Sequence, residues 1–300
     1  MRVLHLDSGR EMRGGQWQAL RLHKGLCQAG HHSVLLAPAD SPLLAIANQW
    51  SLPCHELKPL RLGLLTRHFD LVHAHDARSH TLGALFARTP LIVSRRVAFP
   101  IGQSIVSRWK YRVPTLFIAI SEHVLRKLRE GGIEQARIAV VYDGVPAPPD
   151  ASAGSSILAP YSTDPEKGME LARRAAELAG VPVEFSKDLT ADLPRARVFV
   201  YLTRSEGLGS GILLAMAHGV TVIASDVGGI PELIENNVNG RLVRNELNAI
   251  AAALTSAFSS PDRHLGIAAR QTVLERFTEQ HMVQSTLAAY SRLLGQVPSA

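Results

Sequence analysis

Two cysteines, Cys27 and Cys54, are all that the 300-residue chain contains. They fall into no ligand spacing and no disulfide framework, so each reads as a buried thiol and nothing points to an oxidising compartment. Long hydrophobic runs are missing too. LFIAI at 116–120 is far short of the roughly 20 apolar residues that cross a bilayer, so no membrane-spanning helix is expected. Only VLHL separates Arg2 from Asp7, too short for the core of a signal peptide, and the expected location is the cytoplasm. Ten of the thirteen histidines lie in the first half, yet no HExxH or HxxxH spacing occurs, so no metal and no cofactor are expected. Dense Lys/Arg runs and recognised nucleic-acid motifs are absent, which argues against a nucleic-acid partner. There is no repeat at a 20–50 residue period and no low-complexity tract.

What is present is ample material for a core, with 46% hydrophobic and 19% charged residues. Three hundred residues exceed the usual single domain, so two are expected. Charge divides with them: residues 1–146 hold 19 basic and 10 acidic residues, whereas 147–300 hold 13 and 16. The first half therefore suits an anionic partner, whether a lipid surface or a phosphorylated acceptor.

Apolar strands alternate with helical stretches throughout. RVLHLDS, HSVLLAP, DLVHAHD (70–76), PLIVSRR (90–96), TLFIAIS (115–121) and IAVVYDGV (138–145) are strands of the first half. SSILAPYS, VPVEFS, ARVFVYLT, VTVIASDV and GRLV belong to the second, with helices at KGMELARRAAELAG, after the glycine-rich loop and at IPELIEN, then two final helices near 246–258 and 278–295. This βα alternation predicts an α/β fold of two doubly wound, Rossmann-like domains facing across a cleft. PAPPDASAGSS at 146–156 reads as the linker between them. The expected divisions are an acceptor-side domain at 1–146, a nucleotide-sugar domain at 157–277 and a C-terminal segment, 278–300, packing back toward the first domain.

Chemistry concentrates in LTRSEGLGSGILLAMAHG (202–219). Glycines at the entrance of a helix leave several N–H groups without partners, and with the helix dipole these make an anion site, typically for phosphate. Glu206 ahead of them can accept hydrogen bonds from hydroxyls, and phosphate beside hydroxyls describes a sugar nucleotide. The same stretch reads equally as a tight βα turn with a glutamate on its rim. His73 and His75 alternate on one strand and share a face; His75 and Asp76, near its C-terminal end, are candidates for the acceptor side. SIVSRWKYRVP (104–114) interleaves Arg108, Trp109, Lys110 and Arg112, a pattern suited to an anionic membrane surface as well as to a solvated basic edge.

The block SEGLGSGILLAMAHGVTVIASDVGGIPELIENNVNGRLV resembles the signature of the family 4 retaining glycosyltransferases, whose fold is called GT-B. GG at 14–15, GH at 30–31, DLVHAHD, AISEHVLRKLREGGI, VVYDGVP and PEKG at 165–168 add to it in the family's order, over most of the chain. The resemblance implies metal-independent transfer of a sugar from a nucleotide donor to a lipid-linked or glycan acceptor, with retention, in lipopolysaccharide, polysaccharide or glycolipid synthesis, at the inner face of the membrane. It implies that Glu206 contacts the donor sugar, that Gly207, Leu208, Gly209, Ser210 and Gly211 approach sugar and diphosphate, that Lys167 neutralises the diphosphate, and that Gly14 and Gly15 close on the phosphates. It also puts Arg96, as a third catalytic candidate, where many relatives have histidine. Leu214 replaces the glutamate that usually holds the ribose, and Ser162 replaces an arginine. A strand-and-helix segment of about 30 residues is missing ahead of ARVFVYLT. These departures keep alive a second reading, a weak or inactive GT-B protein that binds sugar nucleotides or glycans or serves as a scaffold. A nucleotide-sugar epimerase on the same plan is a third.

Overall fold

The computed structural model describes residues 1–260 and 262–295. The chain divides into two compact units: one comprises Met1–Asp143 and the chain from Glu279 onward, the other Gly144–Thr278.

The strands of the first unit are β1 (Arg2–Leu6), β2 (His32–Ala37), β3 (Cys54–Glu56), β4 (Leu71–Ala74), β5 (Leu91–Arg95), β6 (Leu116–Ala119) and β7 (Ile138–Val140). Between them run α1 (Gly14–Gln28), α2 (Pro42–Gln49), α3 (Pro59–Leu65), α4 (Ala77–Phe86), α5 (Ile105–Arg112) and α6 (Glu122–Glu130). The second unit contains β8 (Ser156–Pro160), α7 (Met169–Ala179), β9 (Glu184–Ser186), α8 (Leu189–Asp192), β10 (Ala196–Tyr201), α9 (Ser210–Ala217), β11 (Thr221–Ser225), β12 (Arg241–Val243), α10 (Leu247–Ser259) and α11 (Arg263–Arg276). The last helix, α12 (Glu279–Leu294), belongs to the first unit, and residues 296–300 of the segment expected at 278–300 lie outside the described residues.

Both sheets are wholly parallel, in the orders β3-β2-β1-β4-β5-β6-β7 and β12-β11-β10-β8-β9. Strand order reverses between β1 and β4 in the first and between β8 and β10 in the second. At such a reversal the two adjoining loops leave in opposite directions and open a crevice at the strands' carboxyl ends. Strands covered on both faces must be apolar almost throughout, which is why LVHA and FVY read as continuous runs rather than alternations.

Each unit has its own core. Leu71, Ile92, Leu116 and Ile118 of the first sheet pack with Leu22 and Leu26 of α1 and with Met282, Val283 and Tyr290 of α12. In the second, Ala172, Ala175 and Ala176 of α7 and Ile250 and Leu254 of α10 cover Val198, Val200 and Ile223.

Besides the short elements α2, β3, α3 and α8, which the sequence pattern leaves out, three details depart from it. The segment read as a linker is tied to the second unit: Ser152 Oγ donates to the carbonyls of Pro194 and Ala196, and Arg270 donates to those of Pro148 and Pro149. IPELIEN makes only one turn, Ile230–Glu232, because Asn239 takes the Leu233 carbonyl and the Glu235 N–H that a longer helix would use. The helix α11 was not expected, since its buried stripe of Leu265, Ala269 and Val273 is one residue wide and gives little periodic signal.

Candidate active site

In the second unit, the loops that follow β8 and β10 are laced together. Thr203 Oγ1 and the Arg204 N–H both donate to the Glu166 carbonyl, at 3.1 and 2.9 Å. Asp164 caps the short turn that carries Lys167, accepting from the Glu166 N–H at 3.0 Å. Held this way, the Lys167 ammonium lies 3.0 Å from Glu206 Oε2. The same oxygen accepts the Tyr201 hydroxyl at 2.6 Å, and Glu206 Oε1 accepts the Gly207 N–H at 3.2 Å. The Glu206 carbonyl takes the Gly229 N–H at 3.1 Å, which joins the loop to the VGGIPE turn.

The helix α9 starts at once. Gly209, its N-cap, has φ +113° and ψ 66°, a backbone state that an L side chain rarely adopts, and no side chain caps the first turn. Its leading amides can thus serve an external acceptor. The loop is not uniformly available, however: the Leu208 side chain is fully buried, so of this candidate only the backbone can face a ligand. Tyr201 was missed by sequence reasoning. Its only signal is its place as the last residue of VFVY, five before Glu206. Its phenol is pushed well above its ordinary pKa by burial and then by the Glu206 charge, so it stays protonated and remains a donor. At the two replaced positions, Leu214 lies half-buried on α9 and Ser162 accepts the Asp164 N–H, so neither brings a charge.

In the first unit, the loop after β1 leads into α1. The Arg96 Cδ lies 3.3 Å from the point that a β-carbon on Gly15 would occupy, so the arginine packs closely against the bare glycine. Arg96 forms a mostly buried ion pair with Asp143. Arg95, its neighbour, is engaged by the Tyr111 hydroxyl and the Phe99 carbonyl. Asp7 accepts from the Gly9 N–H at 2.8 Å and from Gln16 Nε2 at 3.2 Å. Burial, and then the Asp76 charge, raise the Asp7 carboxyl to about 6, against the opposing pull of the Gly9 and Gln16 hydrogen bonds and Arg96.

The two acceptor-side candidates have structural employment. Asp76 caps α4, accepting from Arg78 N and Ser79 N, and also binds the Ser8 hydroxyl and N–H. His75 is buried, its Nε2 2.8 Å from His5 Nδ1. His73, the register partner of His5, uses both ring nitrogens, on Tyr290 Oη at 2.6 Å and Ser94 Oγ at 2.8 Å. Among the described residues, His5, His73 and His75 form a group of ligand-type side chains close enough to share a cation, with one nitrogen from each within 4.8 Å of the others. Desolvation holds all three imidazoles below their ordinary pKa, so the network is neutral.

The basic stretch becomes α5, capped by Ser104. Arg108, Trp109 and Arg112 point outward with Ile105 and Val106, which are 86% and 70% exposed. Lys110 does not belong with them: its ammonium donates to the Ala77 carbonyl at 2.6 Å, and Tyr111 beside it is buried. The candidates thus gather into Lys167, Glu206 and the 207–211 amides in one unit, and Gly14, Gly15 and Arg96 in the other.

Two family models match the chain. Glycosyltransferase Family 4 matches residues 12–147, and Glycosyl transferases group 1 matches residues 159–260. Alpha-maltose-1-phosphate synthase of Mycolicibacterium smegmatis is 37% identical over 110 residues, 34% of this chain and 28% of that protein. Its Mycobacterium tuberculosis counterpart is 33% identical over the same shares. The matched segment thus spans little more than a quarter of these relatives' length. Among solved structures, Anabaena HepE in complex with UDP and glucose superposes with a TM-score of 0.84 at 18% identity, covering 97% of this chain and 99% of that one. Sucrose-phosphate synthase from Thermosynechococcus elongatus gives 0.77 at 17%, covering 98% and 100%. At these identities the likeness is one of fold: two parallel α/β units of the GT-B kind.

Proposed function

Since the chain belongs to the family 4, group 1 glycosyltransferases, we propose that it moves a sugar from a nucleoside-diphosphate donor to an acceptor hydroxyl with retention of configuration. The observation that carries this reading is the junction of Lys167, Glu206 and the uncapped start of α9 at the strand reversal of the second sheet. Breaking the anomeric C–O bond leaves negative charge on the departing diphosphate and positive character on the sugar ring. Donors fixed in advance lower that barrier because they need not reorganise as the charge appears. Lys167 and the amides at the start of α9 supply them, and Glu206 accepts hydrogen bonds from sugar hydroxyls. The acceptor oxygen forms its bond to the anomeric carbon on the face that the diphosphate leaves, and a diphosphate oxygen takes its proton. No enzymatic nucleophile is needed, and the cationic partner of the leaving group is a side chain rather than a metal ion.

The acceptor we propose is lipid-linked or glycan, in lipopolysaccharide, polysaccharide or glycolipid synthesis on the cytoplasmic side of a membrane. The outward face of α5, with Arg108, Trp109 and Arg112 beside Ile105 and Val106, supports contact with an anionic lipid surface. No described helix is long and apolar enough to cross a membrane. A second reading, a weak or inactive binder of sugar nucleotides, draws on Leu214 and Ser162, which bring neither carboxylate nor cation.

Transfer and donor hydrolysis over UDP-, GDP- and ADP-sugars separate the two, with Glu206→Ala as control. HepE is described with UDP-glucose, which makes that donor the first to try. Turnover that falls by about 100-fold in Glu206→Ala supports transfer; nucleotide binding without turnover favours the second reading.

A further inference from the structure

The two groups assigned to the donor are paired with each other. Lys167 holds Glu206 Oε2 at 3.0 Å, while the proposed chemistry calls Lys167 to the diphosphate and Glu206 to the sugar. A diphosphate carries more charge than one carboxylate, so donor entry draws the ammonium toward the phosphates. Glu206 would then lose a restraint at the moment its position matters most. Among the described residues, its remaining restraint from another side chain is the Tyr201 hydroxyl, 2.6 Å from the same oxygen, a length typical of an O–H donor on a carboxylate.

We propose that Tyr201 is a positioning residue for the transfer, holding the Glu206 carboxylate against the donor sugar once Lys167 has turned to the diphosphate. The inference rests on the functional reading above. Tyr201 suits this task because its own place is set by the sheet rather than by the loop. It ends β10, in register with Ala224 of β11, and its Cε2 lies 3.3 Å from where a β-carbon on Gly211 would stand. A phenol has two torsions where a lysine has four, so a ring clamped in this way delivers its hydroxyl to one point at little entropic cost. The hydroxyl donates to Oε2 and the loop's own Gly207 N–H to Oε1 at 3.2 Å, so the carboxylate is held at both oxygens while each keeps accepting capacity for a ligand hydroxyl.

The test is Tyr201→Phe, which keeps the ring and deletes the hydroxyl. Steady-state rates with the donor that the wild type uses, calorimetric affinity for the free nucleoside diphosphate of that donor, and the melting temperature are measured together. The expected result is a kcat about tenfold lower with donor KM within twofold and nucleoside-diphosphate affinity unchanged, because the diphosphate does not touch Glu206. The double variant Tyr201→Phe/Glu206→Ala should be no slower than Glu206→Ala alone, since a residue that acts through Glu206 has nothing left to position. A merely structural tyrosine would instead slow the double variant further and weaken nucleotide binding with it. Wild-type kcat in Tyr201→Phe, or effects that multiply in the double variant, would overturn the proposal while leaving the transferase reading intact. A wild type without turnover on any donor would overturn both.

Discussion

Replacing Lys167 by methionine should separate stability from catalysis. The lysine is paired with Glu206 at 3.0 Å, but its side chain is 38% exposed and water screens the pair. Such pairs contribute about 0–1 kcal/mol to folding, and methionine keeps most of the alkyl stem, so the urea midpoint should move very little. The leaving diphosphate is a different matter. A unit charge about 4 Å from an ammonium interacts by about 4 kcal/mol at an effective dielectric of about 20. Only the charge that develops during bond breaking counts toward kcat, and loss of one such preorganised donor typically costs 100- to 1,000-fold. Lys167→Met should therefore lower kcat by at least about 100-fold while the folded state persists. Initial rates with the preferred donor beside urea unfolding measure the two quantities. Turnover within threefold of wild type would refute the assignment of Lys167 to the leaving group, and a collapse of stability would refute the account of a screened pair.

Gly209→Ala should destabilise the second unit by roughly 1–3 kcal/mol, because φ +113° is strained for any L side chain and the new β-carbon would stand 3.0 Å from Ile212 Cδ1; equilibrium unfolding reads this directly, and an unchanged midpoint would contradict it. His80, whose Nε2 lies 3.0 Å from the Lys110 carbonyl, is lowered to about 3, first by burial and then by the Lys110 charge. Below about pH 6.5 the unfolded chain gains a proton there that the folded chain refuses, so stability is complete above that pH and drains as pH falls toward 3. His80→Gln should flatten the stability slope between pH 5 and 6 by about 1.4 kcal/mol per unit, and an identical slope would discard the assignment. Replacing Arg108 and Arg112 by Glu should weaken binding to anionic liposomes while donor hydrolysis in free solution continues; equal binding would remove the membrane contact from the proposal.

The departures from the sequence pattern have physical causes. Proline, serine and glycine in 146–156 announce an irregular backbone, yet irregular chain can be free or pinned, and its fastening at Pro194, Ala196 and Arg270 depends on residues more than 40 positions away. HAHD announces polar groups at a strand end without saying which are already satisfied. His75 finds His5 through Nε2, while its buried Nδ1 has no hydrogen-bond partner, and Asp76 finds the amides of α4. Lys110 fits a basic surface pattern, but the helix phase turns its ammonium to Ala77.

The sequence by itself determined the parallel α/β units and the glycine-rich turn after Glu206, because periodicity and turn chemistry act over a few neighbouring residues, whereas Lys167 stood out only through the family resemblance. Tertiary structure alone decided that Lys167, Tyr201 and Glu206 share one carboxylate oxygen, that Arg96 is paired with Asp143 against Gly15, and that three histidines from two strands meet in one core. Those meetings are fixed by strand order and register, which bring distant loops together, and no local spacing in the chain encodes them.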